Sequence, residues 1–245
     1  MSNQSKVLSM LQKIQQRKSR FPKVRVGSLG DGGYVVPNDL VGISHVLSIG
    51  VGQEVSFDLH FATLDIPVHQ YDPTVAGPPV DHPRFAFNRI AWGEMDGDQS
   101  ISLNRMLTAN SLTETNDVIF KFDVEGAEWT ATRSASVDVL KHFRIIVCEL
   151  HGLNNLVNAP FLDQAVDLVT LLTTSHTVVH VHANNCCGMT LVDGIPMPAV
   201  LELTFLRNDR SDFSPCLDPI PGPLDYPNMT DRPDLMLNPF GFQRF

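Results

Sequence analysis

The chain has 245 residues, of which 43% are hydrophobic and 18% charged, so it is long enough for one α/β domain that buries its core without disulfides. No apolar run reaches the roughly 18 residues that a membrane span requires, and no apolar segment followed by a cleavage site opens the sequence. The composition therefore argues against a transmembrane or secreted protein and predicts a globular one.

Charge is unevenly distributed along the chain. The net charge is −9, yet the first thirty residues hold seven lysines and arginines and no acidic residue. The main body is therefore acidic, which argues against a nucleic-acid partner. The cysteines, Cys148, Cys186, Cys187 and Cys216, form no CxxC pair, so we expect reduced thiols in a cytoplasmic protein, with a zinc site as the alternative.

Residues 1–23 are predicted to form a basic amphipathic helix at the N-terminus. Apolar side chains recur at helical spacing between residues 4 and 20, with lysine and arginine on the other faces, and they are Val7, Met10, Leu11 and Ile14. We expect this helix to cover one side of the domain, with a membrane-surface or RNA-binding arm as the alternative.

Residues 25–37 contain a cluster of four glycines. Glycine permits positive φ angles and a close approach of the backbone to a ligand, and Asp31 can accept hydrogen bonds from nearby amides. Asp-Gly-Gly is also typical of a β-hairpin turn. We expect a hairpin, a ligand-contacting loop, or both, with Asp31 and Gly33 as candidate cofactor contacts.

The first strong strand covers residues 45–50 and leads through Gly50-Val51-Gly52 into a predicted helix at 55–63. A strand, a glycine turn and a helix start are the usual entry to a nucleotide or cofactor site. A second strand, 67–72, ends in Asp72, where an acid can accept both hydroxyls of a ribose or start a turn. Because Val55 replaces the third glycine of the dinucleotide motif, an NAD-linked enzyme is a weaker alternative.

Strand and helix patterns alternate through the rest of the domain. They predict a strand at 85–92, a short strand or helix start at 100–106, helices at 127–142 and 161–174, and strands at 118–122, 143–151, 177–182 and 200–206. This alternation predicts an α/β fold with a doubly wound, mainly parallel sheet. The proline-rich residues 208–245 are expected to pack on the domain 24–207 as a C-terminal extension.

Residues 118–129 carry the strongest indication of a site. A buried strand ends there in Asp123, Glu125 and Glu128. Ligands of such sheets bind beyond the strand ends where the winding reverses, so we expect Asp123 beside the Gly50 turn. Glu125 and Glu128 also suit the first turn of a helix, and for Glu128 we prefer that structural role.

The string Lys-Phe-Asp-Val-Glu-Gly-Ala-Glu at 121–128, together with the Gly-Val-Gly turn and the acid after the second strand, resembles the FkbM-type group of class I S-adenosylmethionine-dependent methyltransferases. The segments Arg-Val-Gly and Asp-Gly-Gly-Tyr-Val are similar to methyltransferase-like proteins of that group. The resemblance covers about residues 24–207. It implies a Rossmann-like methyltransferase fold with seven strands in the order 3-2-1-4-5-7-6, the seventh antiparallel, and methylation of a small-molecule or sugar hydroxyl.

The resemblance also implies roles for individual residues. It places Gly50 and Gly52 near the methionine part of the cofactor, the ribose hydroxyls on Asp72, and Asp123 near the cofactor ammonium or the acceptor. An acceptor hydroxyl must also lose a proton. His151 is the candidate base, with a polar strand-end role as the alternative.

Glu149 and His151 are two residues apart on the fifth strand and therefore on one side. We expect Asp123 or Glu149 to orient the imidazole. Asp123, Glu149 and His151 could instead hold a divalent metal, which we do not expect to be required. We expect His182, Asn184 and Asn185 either to line the acceptor pocket or to serve a loop.

The leading interpretation is a methyltransferase that uses S-adenosylmethionine as cofactor and a small molecule as acceptor. A homodimer is the one oligomer that we consider. The alternative from a different class is a catalytically inactive, cofactor-binding regulatory module of the same fold.

Overall fold

The computed structural model describes residues 2–113 and 117–237. The α-helices of this part of the chain are α1 (Asn3–Lys13), α2 (Ser56–Thr63), α3 (Leu103–Ala109), α4 (Glu128–Ala131), α5 (Val137–Leu140) and α6 (Ala159–Ser175). Its strands are β1 (Arg17–Lys18), β2 (Lys23–Val26), β3 (Tyr34–Pro37), β4 (His45–Ile49), β5 (Val68–Tyr71), β6 (Phe85–Asn88), β7 (Ala91–Trp92), β8 (Ser100–Ile101), β9 (Val118–Phe122), β10 (Phe143–Leu150), β11 (His176–Val192), β12 (Ile195–Arg207) and β13 (Ser214–Pro215).

Seven of these strands form one sheet in the spatial order β6-β5-β4-β9-β10-β12-β11. Neighbours pair in parallel except at β12, which is antiparallel to both β10 and β11. The predicted α/β fold with a mainly parallel, seven-stranded sheet is therefore confirmed. The strand numbers differ from the predicted 3-2-1-4-5-7-6, because the numbering of the described residues also includes six strands that lie outside this sheet. Ranked among themselves, the seven lie third, second, first, fourth, fifth, seventh and sixth.

Apolar side chains cover both faces of the sheet. Along β9, Val118, Phe120 and Phe122 belong to one buried cluster, and Ile119 belongs to a second one, because successive residues of a strand face opposite sides. The first cluster includes buried residues of α1, α3 and α6. The second includes those of α2 and of the β2–β3 hairpin. This double burial explains why β9 is an almost continuous apolar run.

The N-terminal helix is shorter than predicted. It ends at Lys13, and β1 follows where the sequence pattern suggested helix up to residue 20. Gln16 explains the change of direction. Its buried side chain accepts a hydrogen bond from the Val181 amide at 3.1 Å and donates to the Cys216 sulfur at 3.1 Å, which ties the chain to β11 and the C-terminal segment.

The apolar face of α1 packs against α6 and is fully buried, as expected for a helix that covers one side of the domain. That face is consequently not available for a membrane surface. None of the helices in the described residues is both long and apolar enough to cross a bilayer.

The single helix predicted at 127–142 is wrong. The structure breaks it into α4, a 3-10 turn at Thr132–Ser134, and α5. Hydroxyl side chains cause the break, because they compete with backbone hydrogen bonding. Thr132 donates to the Glu128 carbonyl at 2.6 Å, and Ser136 caps α5 by accepting from the Val139 amide.

Three predicted strands also differ in extent. The pattern at 85–92 divides into β6, in the central sheet, and β7, which pairs with β8. The strands predicted at 177–182 and 200–206 fall within the longer strands β11 and β12. These two strands form a long hairpin that turns at Asp193 and Gly194. Both turn residues have positive φ, which is the geometry of a two-residue hairpin turn. Of the C-terminal extension, residues 238–245 lie outside the described residues.

Replacement of Leu11 should test the packing of α1. Leu11 is 1% exposed, whereas Leu8 on the same helix is 44% exposed. We expect Leu11→Ala to lower the free energy of unfolding by about 2–5 kcal/mol, because a cavity remains, and Leu8→Ala to lower it by roughly 0.5 kcal/mol or less, as measured by urea denaturation. Equal losses in the two variants would contradict this packing.

Candidate functional site

The ends of β4 and β9 meet at the point where the winding of the sheet reverses. Gly50 follows β4 with φ +82°, and a Cβ atom there would lie 1.6 Å from the Asp123 carbonyl oxygen. The Asp123 amide in turn donates to the Ile49 carbonyl at 2.9 Å. Only glycine allows this approach, so the structure brings Gly50 and Asp123 together as the position of the two strands predicts.

A first cavity of about 360 Å³ opens above these strand ends. Its walls come from the turn after β4, the end of β5, β7, the loop after β9 and the β2–β3 loop. Gly52 has φ +57°, and a Cβ atom added to it would meet nothing within 4 Å. A side chain at this position would therefore project into open space. Because glycine has no side chain, a ligand can come close to the backbone of this turn.

Asp72 lies at the first cavity as predicted, but its carboxylate is engaged by the chain itself. One oxygen accepts from the Val51 and Gly52 amides at 2.9 Å, and the other accepts from the Thr74 amide at 2.7 Å and the Thr74 hydroxyl at 2.6 Å. Burial opposes ionisation, yet these hydrogen bonds lower the pKa of Asp72. Since a carboxylate offers about four lone-pair sites, a ribose contact requires one donor to be displaced, and that role stays a prediction.

The glycine-rich loop is the turn of a hairpin between β2 and β3, and it also reaches the site. Asp31 lines both this cavity and a second one described below. Gly33, the other candidate, lines neither. Its amide donates to the Gly30 carbonyl at 3.2 Å, and a Cβ atom would lie 2.0 Å from the Ser28 carbonyl oxygen, so Gly33 serves the turn.

A second cavity of about 560 Å³ adjoins the first. The two share Asp31, Asp123 and Glu125, which we call the shared wall. The second cavity continues along the end of β10 with Glu149 and His151 and along the middle of β11 with Asn184, Cys186 and Cys187. The C-terminal segment contributes Asn228 and Met229. A molecule in either cavity would therefore contact the shared wall.

Glu128 organises the second cavity, although the sequence suggested only a helix start. Its carboxylate is fully buried and turned inward. One oxygen accepts from the Gly126 amide at 2.9 Å, and the other accepts from the His151 amide at 2.7 Å and lies 3.3 Å from His151 Nδ1. The carboxylate that orients the imidazole is thus Glu128, not the expected Asp123 or Glu149. In the sequence, Glu128 stands two residues after Gly126, and this spacing is compatible with its bond to the Gly126 amide.

The other ring nitrogen of His151 faces three carboxylates. Nε2 lies 3.5 Å from Asp123 Oδ1, 3.6 Å from Glu125 Oε2 and 3.7 Å from Glu149 Oε2. Burial alone would lower the pKa of His151, but the hydrogen bond with Glu128 and the surrounding negative charge raise it.

Glu149 is buried behind this cluster. The Tyr34 hydroxyl donates to one of its oxygens at 3.1 Å, and the Asn184 amide group donates to the other at 3.3 Å. Burial, followed by the charges of Asp123 and Glu202, raises the pKa of Glu149 well above its usual range. Asn184 thus lines the second cavity, and its role towards an acceptor stays a prediction.

The predicted metal-ligand set changes by one residue. Asp123, Glu125 and His151 each offer a ligand atom, and these atoms lie within 4.8 Å of one another. Glu149, which the sequence suggested in place of Glu125, is not part of this set.

The C-terminal segment lines part of the second cavity and is hydrogen-bonded to β11 and β12. His182 does not line the cavity; its ring bonds Glu202 at 2.9 Å on one side and Asp234 at 3.1 Å on the other. His180 pairs with Asp225 at 2.8 Å. Asn185 also has a fastening role, because it donates to the Met229 carbonyl at 3.0 Å and accepts from the Met229 amide at 2.7 Å.

Comparison with protein-family models and with curated proteins finds no match for this chain. The family resemblance of the motifs therefore remains an expectation.

The stability of the C-terminal segment on β11 and β12 should depend on pH through His182. Burial would lower its pKa, but hydrogen bonds with Asp234 and Glu202 raise it to about 10. The folded-state pKa exceeds the unfolded value of about 6.5, so the stabilisation is present below pH 6.5 and is lost as the pH rises towards 10.

We therefore expect the difference in unfolding free energy between the native chain and His182→Gln to shrink by a few kcal/mol between about pH 6 and pH 10. Denaturant titrations at a series of pH values measure it. A difference that stays constant with pH would show that His182 is held as a neutral ring.

Proposed function

We propose that the protein is an S-adenosylmethionine-dependent methyltransferase that methylates a hydroxyl group of a small molecule or sugar. The observation that carries this proposal is the pair of cavities joined at the shared wall, above the reversal point of the sheet. Transfer between two bound molecules requires adjoining sites that hold donor and acceptor in contact. The first cavity has the glycine turn of a cofactor site, and the second has groups that can activate a hydroxyl.

The character of the first cavity favours a positively charged cofactor. Asp31, Asp123 and Glu125 line it, and the one lysine that reaches it in the described residues, Lys121, donates to the Gly50 carbonyl at 2.5 Å. Acidic walls suit the sulfonium and ammonium groups of adenosylmethionine and disfavour the diphosphate of NAD. When bound, S-adenosylmethionine supplies an electrophilic methyl group.

The residues of the chain would position the cofactor and the acceptor. Gly50 and Gly52 leave room at the turn, and Asp72 holds the turn in shape through the Val51 and Gly52 amides. In the second cavity, the imidazole of His151 is fixed by Glu128 and faces the shared wall. Activation of an acceptor hydroxyl is therefore assigned to the cluster around His151.

Filling the first cavity with a side chain should abolish cofactor binding without unfolding the protein. Asparagine tolerates positive φ, so Gly52→Asn should keep the turn and project into the cavity. Gly194→Asn is the matched control, because Gly194 also has positive φ and open space but lies in the β11–β12 turn and lines neither cavity. We expect calorimetry to show adenosylhomocysteine binding to the native chain and to Gly194→Asn, and a loss of at least about 100-fold, or 2.7 kcal/mol, in Gly52→Asn.

Absence of binding to the native chain would overturn the proposal. Equal binding to both variants would place the cofactor elsewhere. Tighter binding of NAD than of adenosylhomocysteine would instead favour the NAD-linked alternative.

Loss of the His151 side chain should separate catalysis from cofactor binding. With methyl-labelled cofactor and small-molecule extracts as acceptor source, we expect His151→Gln to reduce methyl transfer by about 10²–10⁴-fold. Its affinity for adenosylhomocysteine should change little, since His151 lines the second cavity and not the first. A native chain that binds the cofactor but labels no extract fraction would support the inactive regulatory module.

A further inference from the structure

We infer that Asp123, Glu125 and His151 bind a divalent metal ion of the Mg²⁺ and Mn²⁺ class, with open coordination positions towards the second cavity. The ion-binding site itself does not depend on the proposed methyl transfer. It differs from the sequence-based expectation that no metal is required, and from the expected ligand set, because Glu125 takes the place of Glu149.

The three side chains have the spacing that one ion needs. Their ligand atoms lie within 4.8 Å of one another. Ion-to-ligand distances of about 2.0–2.4 Å set an upper limit of about 4.8 Å between two ligands of a shared ion. Two carboxylates and one imidazole suit Mn²⁺ well and Mg²⁺ adequately, since both prefer oxygen ligands.

The imidazole is held in the orientation and tautomer that a metal ligand requires. Glu128 accepts from the His151 amide at 2.7 Å and lies 3.3 Å from Nδ1, which favours a proton on that nitrogen. The lone pair of Nε2 is then directed at Asp123 and Glu125. A carboxylate behind a histidine is the usual partner of a metal-bound imidazole.

The charge of the second cavity calls for a cation. Asp31, Asp123, Glu125 and Glu149 all line it, and no lysine or arginine does so among the described residues. Nε2 faces these carboxylates, and either a proton on the ring or a positive ion between the groups compensates their charge. A divalent ion at this point satisfies the imidazole and the carboxylates together.

The C-terminal segment leaves a polar atom without a partner among the described residues at the wall of the same cavity. Asn228 is 9% exposed, and its Nδ2 donates to Glu202 at 2.7 Å and to Asp31 at 3.3 Å. Its buried Oδ1, however, has no hydrogen-bond partner in the part of the chain that the structure describes. Such an oxygen is costly to leave without a donor.

The ion would also define the acceptor class, and this step rests on the proposed function. Three protein ligands would leave positions of an octahedral ion free, and the ion would lower the pKa of a hydroxyl bound there, so that its proton passes to water more readily. His151 then acts as a ligand and not as the base expected from the sequence. The acceptor best suited to adjacent free positions carries two neighbouring oxygens, such as a vicinal diol.

Titration with Mn²⁺ tests the site directly. The full chain is freed of metal with EDTA, dialysed, and titrated while free Mn²⁺ is followed by electron paramagnetic resonance. We expect one Mn²⁺ per chain, displaced by excess Mg²⁺. Glu125→Gln should weaken binding by at least about tenfold, and Glu128→Gln by about 10–100-fold through the orientation of His151.

Asp81→Asn serves as the matched control, because Asp81 is an exposed acid outside both cavities. The Glu125 side chain is 87% exposed, so its replacement should leave the fold intact. Absence of Mn²⁺ binding, or binding that Glu125→Gln and Asp81→Asn reduce equally, would overturn the inference.

Adenosylhomocysteine calorimetry in EDTA, on the same preparation, separates the two proposals. Cofactor binding that persists without Mn²⁺ binding would leave the methyltransferase proposal standing and remove the metal. Mn²⁺ binding without cofactor binding would do the reverse. With both present, methyl transfer should stop in EDTA and return with Mg²⁺.

Discussion

The buried carboxylate of Glu128 is the constraint on which the site depends. It joins the turn after β9 to the end of β10 by accepting from the Gly126 and His151 amides, and no water competes for it because the side chain is fully buried. The distance between these two strand ends is thereby fixed. Asp123 and Glu125, before the turn, and His151, beyond β10, come together as a result. The boundary between the two cavities lies at this junction.

Negative charge is concentrated where that junction faces open space. The shared wall consists of three acids, and behind it Glu149 is buried with a raised pKa. Carboxylates packed in this way repel one another unless a cation or protons compensate them. The same wall can serve both proposed ligands, because a sulfonium on one side and a divalent ion on the other are both positive. The shared wall would then select ligands by their positive charge before it selects them by their shape.

Features encoded by local sequence were predictable, and features that depend on tertiary contacts were not. The β9 strand, the Gly50 turn and the meeting of Gly50 with Asp123 follow from apolar runs, glycine and the winding rule. The inward carboxylate of Glu128 could not be predicted, since an acid in the first helical turn is favourable whether it faces water or the core. The break of the 127–142 helix depended on where Thr132 and Ser136 place their hydroxyls. Asp72 lies where predicted, but its four chain donors come from neighbours that only the folded turn assembles.

The hydrogen bonds of Asn228 also affect the order in which the two cavities are completed during synthesis. They link Asp31 to Glu202 and to a segment that is synthesised after both of them. Every residue that lines the first cavity lies between 31 and 127, so a growing chain carries all of them long before Asn228 leaves the ribosome. The second cavity must wait until residue 229 has been synthesised. A chain stopped short of residue 228 would therefore hold the residues of one compartment but lack part of the wall of the other.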